Sequence, residues 1–145
     1  MKKRKTILFL FLLSVVLMST SLLAQITEEK AKATIEEFFL LCKNNDFKNA
    51  SKILAYYGEN NSRIYKDFFN SNNPDEFKEV KRVCKKATAT LLISDSYKFG
   101  KFRDRVIDKK KVKSLDIIFL SGTQKVKSKV LFLEINGRPA IFDYN

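Results

Sequence analysis

Histidine is absent from all 145 residues. The side chain most often used for proton transfer near neutral pH is missing, and with it imidazole-based triads and the usual zinc ligand sets. Glycine is scarce: Gly58, Gly100, Gly122 and Gly137 stand far apart, so the chain lacks a glycine-rich phosphate loop and nucleotide hydrolysis is not indicated. Cysteine occurs twice, at Cys42 and Cys84, neither of them beside the leader where a lipid anchor would need one. On these grounds no catalytic, metal-ligating or cofactor-binding residue is assigned.

What the chain does have begins at its N-terminus. Lys2, Lys3, Arg4 and Lys5 precede an apolar run from Ile7 to Val16, and Leu22-Leu23-Ala24 ends the segment in the manner of a peptidase site. This is the pattern of an export signal over residues 1–24, cut between Ala24 and Gln25, and it predicts a periplasmic or secreted protein. The alternative is an uncleaved anchor from Ile7 to Ala24, about 18 residues where a spanning helix needs roughly 20. Removing the signal takes four bases and no acid from 28 Lys and Arg against 16 Asp and Glu, lowering the net charge from +12 to +8. The remainder, residues 25–145, has the length of one domain with one core.

From Thr27 to Lys43, Ala31, Ile35, Phe38, Phe39 and Cys42 recur at helical spacing with acids and lysines on the other faces. Thr27 is the expected cap, and Glu28 and Glu29 suit the positive end of the helix dipole. After Asn44-Asn45-Asp46, the stripe Phe47, Ala50, Ile53, Leu54 and Tyr57 predicts a second helix ended by Gly58. Ile64, Tyr65, Phe68 and Phe69 predict a short third helix between Ser62 and Asn70. Pro74 opens a long one through Phe77, Val80, Cys84, Ala87 and Leu91.

Beyond Ser94 the apolar period falls from about 3.6 to 2, the change from helix to sheet. Strands are expected near Tyr97–Ile107, Val112–Ser121, Gln124–Ile135 and Pro139–Tyr144, with two-residue turns at Gly122-Thr123 and Asn136-Gly137. The first turn sets Phe119 opposite Val126, Ile117 opposite Ser128 and Leu115 opposite Val130 on one face. On the other it sets Leu120 with Lys125, Ile118 with Lys127 and Asp116 with Lys129, the last a favourable charge pair. The second turn sets Leu133 opposite Ala140, Leu131 opposite Phe142 and Phe132 opposite Ile141. Both sheet faces are therefore partly apolar, and the second face needs a cover: the chain's own helices around a bent sheet, or a second copy. Helices followed by a meander define an α+β domain with N-terminal helices packed on a curved antiparallel sheet of about four strands.

The opening helix with Phe38 and Phe39, the Asn45-Asp46-Phe47 break followed by Ala50, and the closing Asn136-Gly137-Arg138-Pro139-Ala140-Ile141-Phe142 resemble the nuclear transport factor 2-like, cystatin-like group, especially its small exported bacterial members. The resemblance implies a cone of bent sheet and helices, frequent dimerisation through the sheet, and functions from isomerase-type acid-base catalysis to ligand or protein binding. Enzymatic members commonly keep His and Asp in the cone pocket, and this chain has no His.

Cys42 and Cys84 both fall on apolar helix stripes. Two buried free thiols are the first reading, and a disulfide between the two helices is the alternative that export favours. Asp116 and Asp143 are better explained by a lysine partner and by the chain end than as general bases. Lys101, Arg103 and Arg105 alternate on one strand and Lys125, Lys127 and Lys129 on another, with Lys109, Lys110, Lys111 and Lys113 between. They are read first as a solvated face that discourages aggregation, and second as a contact surface for an anionic headgroup or polymer. Nucleic acid is not expected as a partner, and membrane contact is at most peripheral. The sequence thus predicts a non-enzymatic exported domain binding a small apolar molecule or a protein, including itself as a homodimer through the sheet face. The alternatives are an isomerase-type enzyme using carboxylates and Tyr56, Tyr57 or Tyr97, and a cationic envelope-associated surface protein.

Overall fold

The computed structural model describes residues 25–145. The export signal expected over residues 1–24 lies outside the described residues. The elements follow in the order α1 (Glu28–Lys43), α2 (Phe47–Ala50), α3 (Pro74–Leu92), β1 (Ser96–Ile107), β2 (Lys110–Ser121), β3 (Gln124–Ile135) and β4 (Arg138–Tyr144). The strands form one antiparallel sheet in the order β1-β2-β3-β4. The arrangement is α+β.

Local chemistry sets the helix ends. The Thr27 side chain accepts from the Lys30 N–H at 3.3 Å, with Glu28 and Glu29 in the first turn of α1. At α3, Asn73 Oδ1 accepts from the N–H groups of Asp75 and Glu76, and Pro74 takes the first position, where its missing N–H is not needed. The hairpins turn where left-handed backbone is cheapest: Asn136 and Gly137 have φ of 52° and 74°, and Gly122 has 54°. Asp108 and Lys109, at 49° and 63°, make a third two-residue turn, so β2 begins at Lys110 rather than Val112.

The register expected around Gly122-Thr123 is the register observed, from Ser121 opposite Gln124 to Leu115 opposite Val130. Around Asn136-Gly137 it holds through Phe132 opposite Ile141, but a bulge then sets Leu131 against Asp143 rather than Phe142. A second bulge, between Phe99 and Phe102, puts Gly100 and Lys101 together opposite Asp116.

The inner-face residues Leu115, Ile117, Phe119, Val130, Phe132 and Ile141 share one core with Ile35, Phe38 and Phe39 of α1 and Val80 and Ala87 of α3. Within it, Phe39 meets Tyr97, Phe119 and Tyr144 at ring-centroid distances of 5.4, 6.2 and 6.1 Å. Cys42 and Cys84 are joined there as a disulfide with Cα atoms 4.8 Å apart, so the bridge, not a pair of free thiols, is the arrangement present. Tying α1 to α3 across a 42-residue separation is worth roughly 2 to 4 kcal/mol.

Two helical expectations fail for the same reason. The stripe from Phe47 to Tyr57 is helical only through Ala50. The backbone then runs along β4, with Ala55 N–H donating to Ile141 O and Ile141 N–H to Ile53 O, both at 2.8 Å. Those bonds satisfy an edge that would otherwise stand unpaired, a gain that local helix propensity cannot match. The segment from Ser62 to Asn70 forms turns instead of a helix. Its ends are drawn out by Tyr56 N–H to Asp67 O and Phe69 N–H to Leu54 O, and Tyr65 adopts a φ of 64°.

That turn segment covers part of the outer face. Val112, Leu133, Ile135 and Ala140 form a second buried cluster with Ala55, against which Tyr65, Phe68, Ile107 and Phe142 pack. Arg63 fastens it. Its Nη1 and Nη2 donate to the Glu76 carboxylate at 2.7 and 3.2 Å, its Nε to Asp67 at 2.8 Å, and its guanidinium lies 4.1 Å from the centre of the Tyr56 ring. Glu76, 9 % exposed, also accepts from Asn70 N–H.

Candidate functional site

The rest of the outer face, towards the Gly122-Thr123 turn, has no such cover among the described residues. Strand alternation brings Lys98 and Arg103 of β1 and Lys125, Lys127 and Lys129 of β3 to outer positions on either side of β2, with Arg105 at the margin of this region, opposite Val112 of the covered cluster. The lysine triplet of β3 stands as expected. On β1 the bulge takes Lys101 out of the alternation, and Lys98 joins the row instead. The local signal is Gly100 itself, since an isolated glycine within a strand pattern marks a bulge.

Asp116 is the one acid at the outer positions of β1, β2 and β3. It is 1 % exposed, and its Oδ2 receives Lys127 Nζ at 3.0 Å and Arg103 Nη1 at 3.3 Å. The partner is therefore the diagonal Lys127 and not the directly opposed Lys129. Burial raises the Asp116 pKa, but the hydrogen bond and charge of Lys127, with Arg103 and Lys129, outweigh it and hold the carboxyl below its usual range. Its Oδ1 has no hydrogen-bond partner among the described residues. Gly100 presses on the same side chain: a Cβ there would lie 3.0 Å from Asp116 Cβ. Ile118 and Leu120, beside Asp116 on β2, are half-buried.

The other candidate residues do not converge. Tyr56 lies under Arg63, and its hydroxyl accepts from Asn60 N–H at 3.2 Å. Tyr57 donates to Glu79 at 3.2 Å, and burial, then Glu79, raises its pKa. Tyr97 sits against Phe39, Phe99 and Phe119, its pKa raised by burial and then by Glu36. Asp143 accepts from the Asn145 side chain. None of the three tyrosines reaches Asp116 or Asp143 in a hydrogen bond among the described residues.

Phe38, Phe119 and Phe132 fill the space between the helices and the inner sheet face. An open cleft of about 410 Å³ lies instead beside the edge of β4, lined by Leu54, Tyr57, Arg82, Val83 and Lys86 with the C-terminal residues. Tyr144, at its wall, has its pKa pushed up to about 12 by burial, against a smaller opposing effect of Thr90. Among the described residues no helix is long and apolar enough to cross a membrane, and no group of three or more Cys, Asp or Glu side chains is arranged to hold a metal ion.

No protein-family model matches the chain, and no curated protein or solved structure matches it.

Proposed function

We propose that the protein is an exported, non-enzymatic binding domain whose outer sheet face takes an anionic polymer. The carrying observation is the charge of that face: Lys98, Arg103, Arg105, Lys125, Lys127 and Lys129 against Asp116 alone, a carboxylate already held by two of them. Such a surface attracts a polyanion over several ångströms of water, and the attraction falls with salt.

Two other occupants fit less well. A bilayer is entered by exposed apolar side chains. The large exposed ones, Leu40, Tyr57, Leu92, Ile93, Val106 and Val126, lie on helices, in the segment between α2 and α3, after α3 or at inner positions, not on the cationic face. A two-fold dimer through this face would set lysine rows against lysine rows, so a homodimer through the sheet is disfavoured. The scattered tyrosines and the packed interior support a non-enzymatic role. Helices followed by a four-stranded meander support reading the fold as a cystatin-like cone of the nuclear transport factor 2-like group.

The test is binding to heparin and to polyphosphate, followed by calorimetry at rising NaCl. Replacing Lys125 and Lys129 together by Glu, which leaves the Lys127–Asp116 pair in place, should weaken both at least tenfold, through four units of lost charge on exposed side chains, while the circular dichroism spectrum stays as in the wild type. Unchanged affinity in that variant, or binding insensitive to salt, overturns the reading. Binding to anionic vesicles but to neither polymer would assign the face to a membrane surface instead.

A further inference from the structure

We propose that Arg103 and Lys127 form a seat for a single phosphate or sulfate group of the polymer, and that Asp116 is the residue that positions them. The inference rests on the polyanion reading and names the group recognised and the place where it is held.

Arg103 and Lys127 belong to strands separated by β2, so their backbones are about 10 Å apart. Two long cationic side chains at that separation, in a field of further cations, repel each other and spread into water. Here they converge. Both reach the same oxygen, Asp116 Oδ2, at 3.3 and 3.0 Å, which brings the two nitrogens within about 6 Å of each other. One tetrahedral oxyanion can accept from both at ordinary hydrogen-bond distance.

The anchor between them is fixed. Asp116 is almost fully buried in β2, and the bulge at position 100 leaves little room beside it, since a Cβ there would lie 3.0 Å from Asp116 Cβ. The Asp116 side chain thus rises from the middle strand with the Gly100 backbone close beside its Cβ. Its contacts use one oxygen and one nitrogen of each cation. The remaining guanidinium and ammonium N–H groups stay available on side chains that are 35 % and 56 % exposed. Lys125 and Lys129, each two strand positions from Lys127 on β3, supply flanking charge for the neighbouring groups of a linear polyanion. Asp116 itself gives up one unit of positive potential. That is a poor trade for diffuse attraction, and a useful one only if the geometry of the two cations matters.

That opposition supplies the experiment. Purified protein is titrated with polyphosphate, heparin and polygalacturonate, the last carrying carboxylates only, at one salt concentration. Asp116→Asn removes a negative charge from the face, so simple charge counting calls for tighter binding to all three. The seat calls for about tenfold weaker binding to polyphosphate and heparin, the worth of one charge-assisted hydrogen bond, and for loss of their advantage over polygalacturonate. A merely structural role would weaken all three alike and leave that ratio unchanged. Arg103→Lys keeps the charge but not the planar fork, and should cost several-fold in the same two ligands. It decides the matter if Asp116→Asn fails to fold. Tighter or equal binding by Asp116→Asn, an unchanged selectivity ratio, or equal binding by Arg103→Lys overturns the seat while the polyanion reading stands. Failure of the wild type to bind any of the polymers overturns both.

Discussion

The two halves of the outer sheet face solve the same problem in opposite ways. Towards the Asn136-Gly137 turn the strands present Val112, Leu133, Ile135 and Ala140, and the chain lays its own residues 59–70 over them. Towards the Gly122-Thr123 turn the strands present Arg103 and lysines, and no segment among the described residues covers them. In each half an arginine is held by a buried carboxylate: Arg63 by Glu76 in one, Arg103 by Asp116 in the other. The first arginine is 2.7 Å from its partner, also bonds Asp67 and the Phe68 carbonyl, and is stacked on Tyr56. The second makes a single longer contact at 3.3 Å and shares its carboxylate with a lysine. A guanidinium with four of its five N–H donors bonded inside the molecule serves the fold. One with a single contact remains open to something outside the chain.

The largest effect should come from breaking the closed half. Arg63→Ala leaves Glu76 buried with its countercharge gone and releases the turn segment from α3, costing about 3 kcal/mol. Urea unfolding should register the loss, and amide exchange should show residues 59–70 opening ahead of the four strands. A cost under about 1 kcal/mol would mean that the apolar contacts alone hold the cover, since exposed ion pairs are worth no more than that.

The contrast was only half legible in the sequence, and the reasons are physical. Hairpin turns are local: Gly122-Thr123 and Asn136-Gly137 carry their own backbone preferences, and counting outward from them gives the partners of Leu115, Ile117 and Phe119 correctly. The lysine triplet of β3 follows from the same count. The cover is not local. Ile53, Leu54 and Tyr57, like Ile64, Tyr65 and Phe68, have helical spacing, and only β4, far along the chain, draws Ile53–Ala55 into extended pairing. Bulges escape the count as well. The one on β4 displaces Phe142 from its expected partner, and the one at Gly100 exchanges Lys101 for Lys98 on the cationic face. The diagonal Asp116–Lys127 contact depends on how far a lysine stem reaches across the sheet, which pairing rules leave open.

A smaller effect tests whether the cover is packed as well as fastened. The Tyr65 ring lies 4.8 Å from that of Phe142, with Lys110 Nζ 4.6 Å from the Tyr65 ring centre. Tyr65 holds a φ of 64°, a cost that alanine would bear equally, so Tyr65→Ala reports the ring contact and little else. About 1 to 2 kcal/mol of stability should be lost, part of it from the aromatic pair itself. Binding of polyphosphate should be untouched, because the ring sits in the other half.

The smallest effect separates the two carboxylates by pH. Asp116 ionises more readily in the folded protein than in the unfolded chain, where the group titrates near about 3.9. Above about pH 5 it is charged in both states, and its contribution to stability is fully present. As the pH falls through the unfolded value and then through the lower folded one, the unfolded chain takes up its proton first and the contribution drains away. Asp67, held low chiefly by its hydrogen bond from Arg63, behaves the same way in the covered half. Asp116→Asn should therefore flatten the plot of unfolding free energy against pH between about 5 and 2 by up to one proton, leaving the share due to Asp67. Arg63→Ala should flatten it through Asp67 and leave the share due to Asp116. If the two variants flatten the plot together no more than either alone, the carboxylates titrate as one system, and the two halves of the outer face are electrostatically a single surface.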